Sequence, residues 1–155
     1  AGIVIRSAIL GLPAKVDKSF VPWVTYTDPE LAHVGMTRAD IEDFYGLDFE
    51  VVRVEFSQID RAVASDETEG FIKVFVRKGK PLGVTIVGSN AGELIGFWGL
   101  VLSKGMSMKN ISGLIMPYPT RGEINKRVVG EYFSPKIFES GVLKKYVGLI
   151  QRFLP

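Results

Sequence analysis

The stretch MPYPTRGEINKR, residues 116–127, brings together residue types that can do chemistry. Tyr118 stands between two prolines, and Thr120 and Glu123 follow it into a basic segment. Proline fixes its own φ, and an X-Pro bond is the one peptide bond that turns cis at modest cost. A side chain held between two prolines is therefore aimed. A phenol titrates at about 10, so at neutral pH Tyr118 is a hydrogen-bond donor or a weak acid and not a ready base. Glu123, five residues on at a helix start, is a candidate acceptor for its hydroxyl. The residues alone leave a second reading open, in which Tyr118 is a buried turn residue with its hydroxyl capped.

Other candidates are weaker. GSNAGE, residues 88–93, has a strand, a glycine turn and a helix start, the setting of an anion site. It lacks both G-x-G-x-x-G and the Walker Lys-Ser/Thr pair, and helix capping accounts for it. Glu30, Asp66, Glu67 and Glu69 fall in loops without acid–base spacing and read as surface acids. The single histidine, His33, sits in a short apolar stretch and reads as packed or paired. The chain has no cysteine, which excludes disulfides, thiolate metal sites and thiol nucleophiles within these 155 residues. With one histidine, neither a His-based metal site nor a Ser-His-Asp triad is expected, and no metal ligands are assigned. A net charge of +2 is too small to argue for nucleic acid. No signal peptide is expected, and no apolar run reaches the roughly 18 residues of a membrane span.

The elements that must position these residues follow from pattern. Residues 1–10 have Ile3, Val4 and Ala8 on one helical face without a cap, as if a helix began upstream. Val24 and Tyr26 alternate with Trp23, Thr25 and Thr27 in a strand ended by Asp28-Pro29, and LAHVGM is short and extended. Thr37 and Asp40 predict a capping box for a helix stopped at Gly46. LDFEVVRVEFSQ predicts a strand with Val51 and Arg53 on one side and Val52, Val54 and Phe56 on the other, both sides partly covered. Residues 59–70 read as a polar loop. Strands 71–77 and 82–88, joined by KGKP, predict a hairpin. Asn90 and Glu93 predict the cap of a helix ending near Gly105. On it, Gly92, Gly96, Gly99 and Ser103 form a small stripe suited to close approach of another backbone, opposite Leu94, Ile95, Trp98, Val101 and Leu102. SMKNISGLI is a short helix, and Thr120 is the expected cap of the next. An amphipathic tail carries Val142, Tyr146, Leu149 and Phe153 in register, with Lys144, Lys145 and Arg152 on its basic side. Strand, helix, strands, then helices is the order of an α+β fold, an antiparallel sheet covered by helices in two layers.

Taken in order, KVDKSFVPWVTYTDPELAHVGMT, TEGFIKVFV, PLGVTIVGSNAGELI and MPYPTRGE resemble the C-terminal interface domain of the pyridine nucleotide-disulfide oxidoreductases. These flavoenzymes are typified by glutathione reductase, dihydrolipoamide dehydrogenase and mercuric reductase. The resemblance covers roughly residues 13–128. It implies that residues 1–12 end the helix of a preceding FAD domain, that 13–133 form the dimerisation domain, and that 134–155 are a helical extension. It further implies a homodimer, upstream FAD and NAD(P) domains carrying a CxxxxC disulfide, and a cytoplasmic location. FAD and NAD(P)H would serve the full-length enzyme, with neither bound by this chain alone.

In the disulfide-reducing members, the MPYPTRGE stretch reads His-Pro-Thr and then Glu, and the His reaches the partner's disulfide and flavin. Here Tyr118 takes the His place, while Pro119, Thr120 and Glu123 match. The resemblance thus implies catalytic roles for Tyr118 and Glu123, and places Pro119 and Thr120 beside the partner's flavin. Mercuric reductases also carry Tyr there, but they end in a cysteine pair, whereas this chain ends IQRFLP. The rival reading is a stand-alone dimeric binding module without flavin chemistry.

Overall fold

Residues 4–13 and 20–138 are described by the structure, a computed structural model. Five strands pair antiparallel: β1 (Trp23–Thr25), β2 (Leu31–Gly35), β3 (Glu50–Glu55), β4 (Gly70–Arg77) and β5 (Lys80–Gly88), in the order β1-β2-β5-β4-β3. The helices are α1 (Arg38–Tyr45), α2 (Asp60–Ala64), α3 (Ala91–Ser103), α4 (Met108–Ser112) and α5 (Glu123–Phe138). A π-helical turn spans Ile5–Ile9, and a 3-10 turn spans Phe56–Gln58. The α+β expectation holds.

Register explains the core. Val52, Val74, Val84 and Val34 lie abreast on the inner face, and Val54, Ile72, Ile86 and Ala32 form the next row. All eight are buried. The valines and isoleucines among them contribute about 1.5–3 kcal/mol each on full burial. α3 covers β2 and β5, and α5 covers β3 and β4. Ile95, Trp98, Val101 and Leu102 point inward from α3, as its pattern predicts, and Ile124, Val128, Val129 and Tyr132 are buried on α5. The two helices are joined within the core: Trp98 Nε1 donates to Asn125 Oδ1 at 2.8 Å.

Several expectations are corrected. β3 buries Val52 and Val54 but leaves Val51 and Arg53 exposed, so only one of its sides is covered. The 59–70 segment is not a plain loop, because Phe56, Ile59 and Ala62 are buried and draw it into a turn and then α2. The β4–β5 hairpin linker is tighter than KGKP: Lys78 and Gly79 alone turn the chain, both at positive φ, and Arg77 pairs with Lys80. Two such residues make the favoured hairpin turn. Pro81 sits at a register shift opposite Val76, which suits a residue without an N–H.

Asn90 takes a left-handed φ of 62°, so its side chain does not cap α3. Glu30 does so instead, accepting from the Gly92 N–H at 2.9 Å. Among the described residues, none of the stripe's glycines comes against a neighbouring backbone. A Cβ on Gly92 would come within 3.3 Å of Val24, while Gly96 faces open space. α5 runs through Pro135 to Phe138, across the expected boundary at 133/134. The tail residues Val142, Tyr146, Leu149 and Phe153, like Ile3, lie outside the described residues. The capping box of Thr37 and Asp40 forms as predicted.

His33 is paired, as expected. Nε2 donates to the Gly35 carbonyl at 3.1 Å, and Nδ1 accepts from the Thr85 hydroxyl at 3.0 Å. This is the neutral tautomer, and burial lowers its pKa. The unfolded chain then binds the extra proton first, so this residue's contribution is present at neutral pH and is lost as pH falls below about 6.5. Denaturant titrations across pH 5–7 should show stability falling on acidification, with a shallower slope for His33→Gln. In the core, Asn125→Leu should cost about 1–3 kcal/mol by leaving the indole N–H unpaired. Adding Trp98→Phe removes the orphaned donor, so the double variant should lose less than the sum of the singles, as read by denaturation midpoints.

Candidate functional site

Residues 113–122 connect α4 to α5, and both ends are anchored in the core by buried Ile111 and Ile124. Between them Leu114 still packs against the core, while residues 117–119 stand open to solvent. Tyr118 is 68% exposed and Ile115 88%. The Tyr118-Pro119 bond is cis. The Thr120 hydroxyl donates back to the Pro117 carbonyl at 2.8 Å, closing the proline turn on itself. This corrects Thr120 as the side-chain cap of α5: its backbone carbonyl accepts from the Glu123 N–H at 3.3 Å, while its hydroxyl faces the other way.

The acceptor expected for Tyr118 is also corrected. Its hydroxyl donates to Asp60 Oδ2 at 2.6 Å, not to Glu123. Asp60 opens α2, which is drawn onto the core by buried Ile59 just before it and buried Ala62 within it. The hydrogen bond to the Asp60 carboxylate, with its negative charge next, raises the phenol pKa above the ordinary value; Glu123 adds a smaller contribution in the same direction. Glu123 occupies the first turn of α5, where its charge complements the helix dipole. Its Oε2 is buried without a hydrogen-bond partner among the described residues.

A second contact ties the same two segments together. The Arg121 guanidinium donates to the Ser65 hydroxyl at 2.9 Å and forms an ion pair with the Glu67 carboxylate. Its side chain is only 12% exposed. Burial, with Arg61 nearby, lowers its pKa. Asp60, Ser65, Glu67 and Arg121 are the residues that sequence reasoning missed. Asp60 and Glu67 were visible only as acids in a polar stretch, and Arg121 only as part of a basic one. The usable signal was Ile59 and Ala62, whose spacing suits one turn of helix.

Beside this loop, α4 and α5 enclose a groove of about 790 Å3, lined by Glu123, Lys126, Arg127, Val129, Phe133 and Ile137 among others. Tyr118 does not line it. Glu123 therefore belongs to the groove, while Tyr118 leans on α2. No group of three or more potential metal ligands occurs among the described residues. No described helix is long and apolar enough to cross a membrane.

Comparisons with known proteins bear on this arrangement. The profile of the family described as pyridine nucleotide-disulphide oxidoreductase, dimerisation domain, matches residues 21–128. A dihydrolipoyl dehydrogenase from Geobacillus stearothermophilus is 38% identical over 125 residues, which make up 79% of this chain and 26% of that protein. A mercuric reductase from Lysinibacillus sphaericus is 35% identical over 124 residues, 79% of this chain and 22% of that protein. In the solved structure of the HOCl-induced flavoprotein disulfide reductase RclA from Escherichia coli, the matched region has a TM-score of 0.71 at 25% identity. It covers 79% of this chain and 29% of that one. The chain thus spans about a quarter of the length of these curated relatives.

Replacing Arg121 with Met leaves Glu67 and Ser65 without their partner. The expected loss is about 1 kcal/mol, kept small because Glu67 is half exposed and screened. Amide hydrogen exchange should quicken at residues 65–69 with little change in the strands.

Proposed function

The chain belongs to the dimerisation-domain family of the pyridine nucleotide-disulphide oxidoreductases, and from that premise we propose that it is the dimerisation domain of an FAD-dependent NAD(P)H oxidoreductase. In this reading two copies pair, and each presents its 116–123 loop to the redox centre of the other. The domains run as 1–12, the end of a preceding FAD-domain helix; 13–133, the dimerisation domain; and 134–155, an extension. The first helical turn of that extension is the end of α5. A cytoplasmic location accompanies the reading.

The observation that carries it is Tyr118: a large aromatic left 68% exposed on a loop whose two flanks are pinned by buried residues. In an isolated domain the exposed ring serves only the tie to Asp60, whereas in a domain that completes a neighbour's site it meets a partner. Tyr118 is the polar group offered to the reacting partner. Glu123 is the second catalytic candidate, with a carboxylate oxygen buried and free to accept a hydrogen bond. The apolar part of the α4–α5 groove, which includes Phe138 at 70% exposed, supports pairing of two copies through this face.

FAD supplies hydride transfer from NAD(P)H when it is bound by the whole enzyme. The residues here fit the border of such a site and not its grip. Pro119 has no N–H to donate, and the Thr120 hydroxyl is engaged by Pro117. Pro119 and Thr120 therefore shape one wall beside the partner's flavin, and this domain binds no cofactor by itself.

The test is made on the full-length protein that carries this chain. It should be yellow, with flavin absorption bands, and dimeric. Tyr118→Phe should keep its flavin and lose roughly 10²-fold in NAD(P)H-dependent kcat, the usual effect of removing one hydrogen-bonding group at a reacting centre. A colourless protein, or undiminished turnover with every acceptor tried, counts against the proposal.

A further inference from the structure

We propose that Asp60 is a positioning residue for Tyr118: it holds the phenol proton, so that Tyr118 presents its oxygen lone pairs, and not its proton, to whatever approaches from solvent. The inference rests on the reading of Tyr118 as an active-site group and deepens it.

The hydrogen-bond inventory leads there. An ionised carboxylate only accepts, while a phenol has one proton and lone pairs to spare. At 2.6 Å the contact between Tyr118 and Asp60 Oδ2 lies in the range of charge-assisted O–H···O bonds. The single proton of Tyr118 is therefore committed to Asp60. What remains on the exposed side of the oxygen is acceptor capacity, and the ligand group that fits it is a hydrogen-bond donor. A thiolate waiting for a proton does not fit without first breaking the Asp60 contact.

The surroundings are built to keep the pair in place. Pro117 and Pro119 restrict the backbone on both sides of Tyr118, and Thr120 closes the turn onto the Pro117 carbonyl. Arg121, three residues after Tyr118, grips Ser65 and Glu67, which follow α2. The loop and α2 are thus joined at two separated points, so the Tyr118–Asp60 contact is not a chance meeting of two free side chains. The charged groups facing the phenol are Asp60 from α2 and Glu123 from α5, both negative. Both disfavour phenolate, which keeps Tyr118 protonated at neutral pH.

The experiment uses the full-length protein labelled with 13Cζ-tyrosine, the Tyr118 resonance being identified by its loss in Tyr118→Phe. In the wild type this resonance should titrate above the ordinary phenol range. In Asp60→Asn its midpoint should move down in pH, and Asp60→Glu, which keeps the carboxylate, should restore part of the shift. The alkaline limb of the kcat/KM profile should move in the same direction as the resonance. A Tyr118 titration indifferent to Asp60→Asn overturns the pairing. A shifted resonance with an unmoved alkaline limb overturns the positioning role and leaves Asp60 a tie between loop and helix. Full turnover in Tyr118→Phe would instead sink the active-site reading of Tyr118, an outcome distinguishable from the others because the resonance is read without turnover.

Discussion

A sheet whose inner face carries two rows of valine, isoleucine and alanine across four strands cannot be left in water, and the fold follows from how that face is covered. Two helices suffice, α3 over β2 and β5 and α5 over β3 and β4. Their meeting point carries a polar obligation inside the core. The indole of Trp98 is fully buried, and its N–H must find an acceptor inside the protein. Asn125 supplies it. That bond joins burial of Ile124, Val128, Val129 and Tyr132 in turning one side of α5 inward, and the loop ahead of Glu123 emerges where the helix begins.

The candidate site hangs from this arrangement. The loop between α4 and α5 leaves the core at Ile111 and re-enters it at Ile124, and the residues between are held by side-chain contacts with α2 and the residues after it. Tyr118 is consequently exposed without being loose. A rigid scaffold that presents an exposed aromatic on a short connection is a common way to supply a functional group to a neighbouring site. Glu123 is held on α5 beside the groove, close enough to influence the phenol electrostatically but not bonded to it. The two residues lie on different surfaces, Glu123 on the groove and Tyr118 against α2.

Small interactions elsewhere serve the same frame. Glu30 reaches from the start of β2 to the first turn of α3 and ties the β1–β2 edge to the helix layer. The Lys78-Gly79 turn lets β4 and β5 pair along their length, and its Gly79 carbonyl accepts from Met108 at the start of α4. Gly83 is required by close packing: a Cβ there would meet the Met36 carbonyl at 1.9 Å. His33 takes part through two hydrogen bonds, and its neutral state is set by burial.

Period and punctuation carried most of the fold. Alternation in residues 50–56 and 71–88 marked the strands, the apolar side of α3 followed from helical spacing, and Thr37, Asp40 and Gly46 bounded α1, because each depends on chain neighbours alone. The proline bracket around Tyr118 was legible for the same reason. What the sequence could not determine were partners distant along the chain. Tyr118 bonds to a residue 58 positions away, Arg121 to one 56 away, and Gly92 to Glu30 across 62. Glu123 and Asn90 were the nearer choices for these roles, but local proximity does not set side-chain direction once α2 is drawn under the loop by Ile59 and Ala62 and Asn90 takes a left-handed turn. The amino-acid order determined most of the strands and helices and that Tyr118 is held between two prolines. Only tertiary packing decided what that residue leans on, since a hydrogen bond chooses its acceptor by distance in space.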